Sequence, residues 1–153
     1  MPMNLGSLTE PALIFPELPG TDASSVLLAF AERVAGLGYV SDAERLFDKL
    51  MEREKLGSTG IGSGVAIPHC KMHDLERAVV AVGASRRPVD FGAVDDQPVR
   101  LFFLVVSPHD TPAVHLQVLA SISRWVKGDR HVPRLLEMRD RQEIYEFLSR
   151  EET

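Results

Sequence analysis

The sequence has 153 residues, 44% of them apolar and 25% charged, with 17 Lys plus Arg against 22 Asp plus Glu for a net charge of −5. A chain of this length fits one domain over residues 1–153, its core at about 10–150, and buries roughly 70% of its unfolded surface without a staple. The acidic balance argues against a domain built to hold nucleic-acid phosphates or anionic lipid. Cys70 is the one cysteine and cannot form an internal disulfide, which suits a reducing cytoplasm. The longest apolar run, Leu101 to Val106, falls far short of the ~20 residues that span a bilayer. No basic start marks a signal peptide, since the first Lys or Arg is Arg33.

Taken in chain order, the first twenty residues form an extended, proline-rich lead-in with one short strand at Ala12 to Phe15. Thr21 is placed to cap a first helix, whose apolar positions Val26, Leu27, Phe30, Val34 and Leu37 keep to one face. Ser41 with Glu44 reads as a capping box for a second helix buried through Leu46, Phe47, Leu50 and Met51. A glycine-dense loop from Gly57 to Gly64 then leads into Val65-Ala66-Ile67, a short strand that stops at Pro68. Two further strands are predicted at Ala78 to Ala84 and at Val99 to Val106. The second is apolar throughout and reads as a central strand buried on both faces. Thr111 as cap and Pro112 at the first helical position open a helix to about Lys127. Asp140 with Glu143 opens a last helix with Ile144, Phe147 and Leu148 inward. Strands interleaved with helices make an α/β sandwich, a mixed sheet flanked by helices.

Two histidines carry the chemistry that these elements can position. His69 follows a short apolar strand and sits beside the glycine loop, with Pro68 restricting the backbone before it. An imidazole held there suits a nucleophile or a base, although an exposed loop histidine has the same spacing. The glycines admit backbone conformations closed to other residues and let N–H groups converge on an anion. A tight surface turn is the blander reading, and neither the P-loop nor the dinucleotide spacing fits. His115 lies in the first turn of the Thr111-capped helix, in line with Val118, Leu119, Ile122 and Val126, so it faces the core. A helix N-terminus disfavours an imidazolium there, which leaves a neutral donor or a satisfied core histidine. Arg53 belongs to a charge run, Glu52-Arg53-Glu54-Lys55, of the kind that usually covers a solvated helix face; its guanidinium can also clamp phosphoryl oxygens. A different class of reading is a metal-dependent hydrolase using His69, His73 and His115, with His109 as a further ligand, but no carboxylate motif accompanies them. His109 and His131 otherwise read as surface residues, and Asp90, Asp95 and Asp96 as turn or edge residues.

The stretch from Arg53 to His69, Arg-Glu-Lys-Leu-Gly-Ser-Thr-Gly-Ile-Gly-Ser-Gly-Val-Ala-Ile-Pro-His, resembles the active-site signature of the fructose/mannitol-type (type 2) EIIA domains of the bacterial phosphoenolpyruvate-dependent phosphotransferase system. Pro88-Val89-Asp90-Phe91, Asp96-Gln97-Pro98-Val99 and His115-Leu116 agree with it, and the nitrogen-regulatory EIIA branch is the most similar. The resemblance implies the mannitol-EIIA type of α/β fold and a phosphoryl carrier that acts as a regulatory switch, with no metal and no cofactor. His69 is then the phosphoryl acceptor, His115 and Arg53 stabilise the phosphoryl charge, and Ser58, Thr59, Gly60, Gly62, Ser63 and Gly64 form a phosphate cradle. The implied donor is HPr or a nitrogen-branch HPr, and the implied recipients are an EIIB domain or regulated target proteins. Sugar transport through a fructose- or mannitol-type EIIB is the alternative role. Two positions depart from the family pattern. Ser63 stands where asparagine is common, and Cys70 where glycine is common, which questions the backbone just after His69.

Overall fold

The computed structural model describes residues 4–93 and 95–150. Two short 3-10 turns, Leu5–Leu8 and Pro11–Leu13, lead into β1 (Ile14–Phe15), followed by α1 (Ala23–Gly36) and α2 (Ala43–Lys55). Next come β2 (Gly60–Gly62), β3 (Val65–Ala66), β4 (His69–Met72), β5 (Val79–Val89) and β6 (Val99–Pro108). The chain ends in α3 (Pro112–Val126), α4 (His131–Glu137) and α5 (Arg141–Ser149).

The sheet runs β1-β5-β6-β3-β2, with β4 also paired to β6. It is mixed: β1 is parallel to β5, β3 and β4 are parallel to β6, and the β5–β6 and β2–β3 pairs are antiparallel. Every residue of β6 but Arg100 is buried, as its apolar run requires. Alternation along this strand divides the core in two. Phe102, Leu104 and Val106 meet Val26, Phe30, Leu46 and Leu50 from α1 and α2. Leu101, Phe103 and Val105 meet Val118, Ile122, Leu135 and Phe147 from α3, α4 and α5. Each such fully buried side chain contributes about 1.5–3 kcal/mol of transfer free energy, so β6 is the spine on which both halves depend.

Several local expectations are corrected. α1 is capped by Asp22 rather than Thr21: its carboxylate accepts from the Ser25 N–H at 2.9 Å, and the Ser25 hydroxyl closes the box. Asp42, not Ser41, caps α2, because Ser41 is drawn away to donate its hydroxyl to Asp74 at 2.6 Å. Thr111 does sit before α3, but its hydroxyl bonds the Pro108 carbonyl instead of a helix N–H. Asp140 caps α5 as expected. The glycine stretch is not all loop, since Gly60–Gly62 pairs with β3. β5 continues to Val89, past its predicted end at Ala84, and α4 was not foreseen.

The correction that matters most concerns Pro68. The strand does not stop there. β3 pairs with Leu101 and Phe102 of β6, and β4 resumes against Val105 to Pro108 of the same strand. Pro68 lacks the N–H for a ladder bond, so the ladder skips it. Its carbonyl still accepts from Val105 N–H at 2.9 Å. His69 therefore opens a second strand segment on the central strand of the sheet.

Candidate functional site

β4 and β6 fix the site from below. His69 is in register with Val105, and Lys71 with Ser107. In a sheet, registered neighbours share a face, so His69, Lys71, Val105 and Ser107 all lie on the side covered by α3. His115, in the first turn of α3, comes down onto that face and is buried. The His69 and His115 rings are 5.4 Å apart between centroids, inclined at 55°.

Both rings are oriented by second partners. His69 Nδ1–H donates to the Ile67 carbonyl at 2.7 Å. That bond selects the Nδ1–H tautomer and leaves the Nε2 lone pair without a hydrogen. His115 Nδ1 lies 2.7 Å from the fully buried Ser107 hydroxyl, which locks the second ring. Both imidazoles favour the neutral form. Burial lowers the His69 pKa, with the charges of Arg53 and Lys71 adding to the effect and the Ile67 bond opposing it. Burial, then His69 and Lys71, push His115 down to about 4. The neutrality expected of His115 is thus present, but desolvation is its leading cause, not the helix N-terminus.

Arg53 closes the last turn of α2 and donates from Nη1 to the Gly57 carbonyl at 2.8 Å, bracing the entry to the glycine stretch. Its charge reaches His69. The cradle residues are themselves tied down. Thr59 N–H and hydroxyl both donate to the Glu54 carboxylate, the amide at 3.3 Å. Ser58 Oγ donates to the Phe91 carbonyl at 2.6 Å and accepts from Gly60 N–H at 3.0 Å. Ser63 N–H donates to Asp95 at 3.3 Å. The amides of Thr59, Gly60 and Ser63 are therefore engaged within the protein in this conformation. Gly62, Ser63 and Gly64 all have positive φ, at 93°, 58° and 79°. The left-handed value at Ser63 explains why asparagine suits that position, since Asn tolerates this region better than most residues. Cys70 takes no positive φ among the described residues, so its side chain does not disturb the backbone after His69.

The structure does not bring His73 to this pair. His73 stacks on His109 with centroids 3.9 Å apart, and both rings are exposed. Among the described residues no group of three or more His, Cys, Asp or Glu could hold a metal ion, so the hydrolase alternative finds no support. His131, expected at the surface, is half-buried, its ring stacked on Trp125 and its Nδ1–H donated to the Trp125 carbonyl. Three residues were given no site role in the sequence reading: Lys71, Ser107 and Glu54. The first two carry a signal in the strand period of two, since Lys71 is two places beyond His69 and Ser107 two beyond Val105. Glu54 to Thr59 has neither a helical nor a strand spacing, so no periodicity announces it.

Comparison with known proteins gives the chain a family. The chain matches the family described as phosphoenolpyruvate-dependent sugar phosphotransferase system, EIIA 2, over residues 7–151. It is 38% identical over 147 residues to a nitrogen regulatory protein of Bradyrhizobium diazoefficiens, covering 96% of this chain and 95% of that one. Identity to the fructose-specific EIIA component of Haloferax volcanii is 30% over 146 residues, covering 95% of each chain. The crystal structure of the nitrogen regulatory protein IIA-Ntr from Neisseria meningitidis superposes with a TM-score of 0.86 at 27% identity, covering 94% of this chain and 97% of that one. The chain belongs to the type 2 EIIA family of the phosphotransferase system, whose members are phosphoryl carriers. Among the described residues no helix is long and apolar enough to cross a membrane.

Proposed function

We propose that the chain accepts a phosphoryl group on His69 Nε2 and works as a regulatory carrier of the nitrogen branch. The observation that carries this is the bond from His69 Nδ1–H to the Ile67 carbonyl. A ring held in that tautomer offers one lone pair, on Nε2, and keeps it unprotonated near neutral pH because burial disfavours the cation. Nε2 attacks phosphorus in line as the P–N bond to the donor's phosphohistidine breaks. No proton need leave His69, since Nδ1 retains its hydrogen and the carbonyl stabilises the charge that develops on the ring. The donor histidine departs with the electron pair of the broken bond. Such a step asks for positioning and charge stabilisation more than for covalent help.

The incoming phosphoryl group brings roughly two negative charges. His115 packs against His69, and the charges of Arg53 and Lys71 reach it, which supports a role for all three in meeting that charge. At the 5.4 Å between the two rings, unit charges at an effective dielectric of ~20 interact by about 3 kcal/mol, so a neutral His115 becomes a willing proton acceptor once the group arrives. Support for a macromolecular donor, HPr or its nitrogen-branch relative, comes from Leu56, Ile61 and Leu116. They are 84%, 41% and 66% exposed, and each lies within a few residues of Arg53, the cradle or His115. The regulatory role follows the 38% identity to a nitrogen regulatory protein over nearly the whole chain. A second reading, transfer to a fructose-type EIIB, follows the 30% identity to a fructose-specific EIIA component.

The test is incubation with phosphoenolpyruvate, Enzyme I and either HPr or the nitrogen-branch HPr, followed by site mapping. An acid-labile adduct on His69, absent from His69→Ala, is expected. No adduct on the wild type would sink the reading, and rapid discharge by a fructose-type EIIB would move it from regulation to transport.

A further inference from the structure

Glu54 is the half-buried carboxylate beside the site that the transfer step leaves unused. Basic side chains lie at Arg53 and Lys55 on either side of it. It pairs with neither: among the described residues the one ion pair is Arg86 with Glu17, and Arg53 spends its Nη1 on Gly57. Instead Glu54 turns under the loop and takes both donors of Thr59, the amide on Oε2 and the hydroxyl on Oε1. Thr59 is only 4% exposed, so neither donor has ready access to water as a substitute acceptor.

Thr59 is in turn the residue that holds Ile67. The Ile67 N–H donates to the Thr59 carbonyl at 3.0 Å, and the Ile67 carbonyl accepts from His69 Nδ1–H at 2.7 Å. A continuous series of contacts thus runs from Glu54 through Thr59 and Ile67 to His69. Pro68 stiffens its last link, because its ring leaves Ile67 few backbone conformations. From this geometry we infer that Glu54 is a positioning residue for His69: by anchoring Thr59 it fixes the Ile67 carbonyl, and so keeps Nδ1 protonated and Nε2 as the attacking nitrogen. The coupling is positional and moves no proton along the series. Its kinetic consequence rests on the phosphocarrier reading above; its effect on the His69 tautomer does not.

The test compares wild type with Glu54→Ala, Glu54→Gln and Thr59→Val by two readouts: the ¹⁵N–¹H NMR signature of the His69 ring, and the rate of phosphorylation by phosphorylated nitrogen-branch HPr. Wild type should show His69 in the Nδ1–H tautomer alone. Glu54→Ala should show a mixture of tautomers with a rate reduced roughly 10- to 100-fold, the range expected for a reacting atom displaced by about an ångström. Glu54→Gln retains one acceptor for Thr59 and should fall between the two. Thr59→Val removes only the hydroxyl contact and should shift the tautomer in the same direction, which keeps the inference testable if Glu54→Ala fails to fold. In every variant the His115 ring, anchored independently by Ser107, should keep its wild-type signature.

A wild-type tautomer and rate in Glu54→Ala, or in Thr59→Val where the alanine variant does not fold, overturns the inference. Equal disturbance of His69 and His115 also overturns it, since that is general loosening rather than positioning. Should wild type accept no phosphoryl group at all, the carrier reading fails, and the tautomer comparison still decides the role of Glu54.

Discussion

Protonation of His115 should make the protein less stable in mild acid by an amount the structure sets. The ring is buried, bonded to Ser107, and has a folded pKa of about 4 against 6.5 for the free group. Between those values the unfolded chain binds a proton that the folded chain refuses. Stability is therefore full above 6.5 and is lost as pH falls toward 4. From about pH 7 to about pH 4.5 this one group accounts for roughly 2 kcal/mol. Carboxylates titrate in the same range, so the informative quantity is the difference between wild type and His115→Asn, which retains a hydrogen-bonding group for Ser107. Urea unfolding at the two pH values should show the Asn variant losing about 2 kcal/mol less than wild type. Equal losses would refute the reasoning, as would an NMR titration of His115 with a midpoint near 6.5. Phosphorylation of His69 should reverse the effect, raising the His115 midpoint, because a neutral neighbouring ring then carries negative charge that favours the imidazolium.

Two further predictions concern the surroundings of the site. A Cβ at Gly60 would meet the Ala93 Cβ at 2.7 Å and its Cα at 2.9 Å, and backbone there has little room to retreat. Gly60→Ala should cost about 1–3 kcal/mol in a denaturant titration and slow phosphorylation by displacing the cradle; an unchanged midpoint would mean the loop stands off from Ala93. The buried Cys70 thiol, pushed up to about 12 chiefly by desolvation, should react with iodoacetamide at about pH 8 far more slowly in the native protein than in the unfolded chain. Comparable rates would show the thiol to be accessible beside His69.

The sequence made the large elements legible because their signals are local and redundant. The apolar run of β6, the helical stripe of α3 and the Asp140 cap of α5 each follow from neighbours within one or two turns. Caps with two eligible side chains in succession were less legible. Thr21 and Asp22, or Ser41 and Asp42, offer the same chemistry, and the choice is made by tertiary partners such as Asp74. The site divides in the same way. His69 and His115 stand out by residue type and position, but their meeting depends on β4 and α3 both packing on β6, which no spacing encodes. The loop appeared to be an anion cradle by its glycines. The structure adds that Glu54, Ser58 and Asp95 already engage three of its amides; Ser58 does so locally, while Glu54 and Asp95 become neighbours only when α2 and the segment after β5 fold against the loop.

The strand segment resumed after Pro68 makes the proposed acceptor, His69, a fixed post rather than an arm. His69 rides on β4, and β4 is laddered to the central strand of the sheet through Val105, Val106, Ser107 and Pro108. Reaching a donor by swinging the histidine outward would mean stripping that ladder from the core. On the proposed carrier reading, a donor would instead bring its own phosphohistidine to a stationary ring. Exchange between two preformed surfaces would need no lid, so its speed would be governed by how often the surfaces meet in the correct orientation. Ionic strength and the charges around the rim are then the natural controls on flux through this protein.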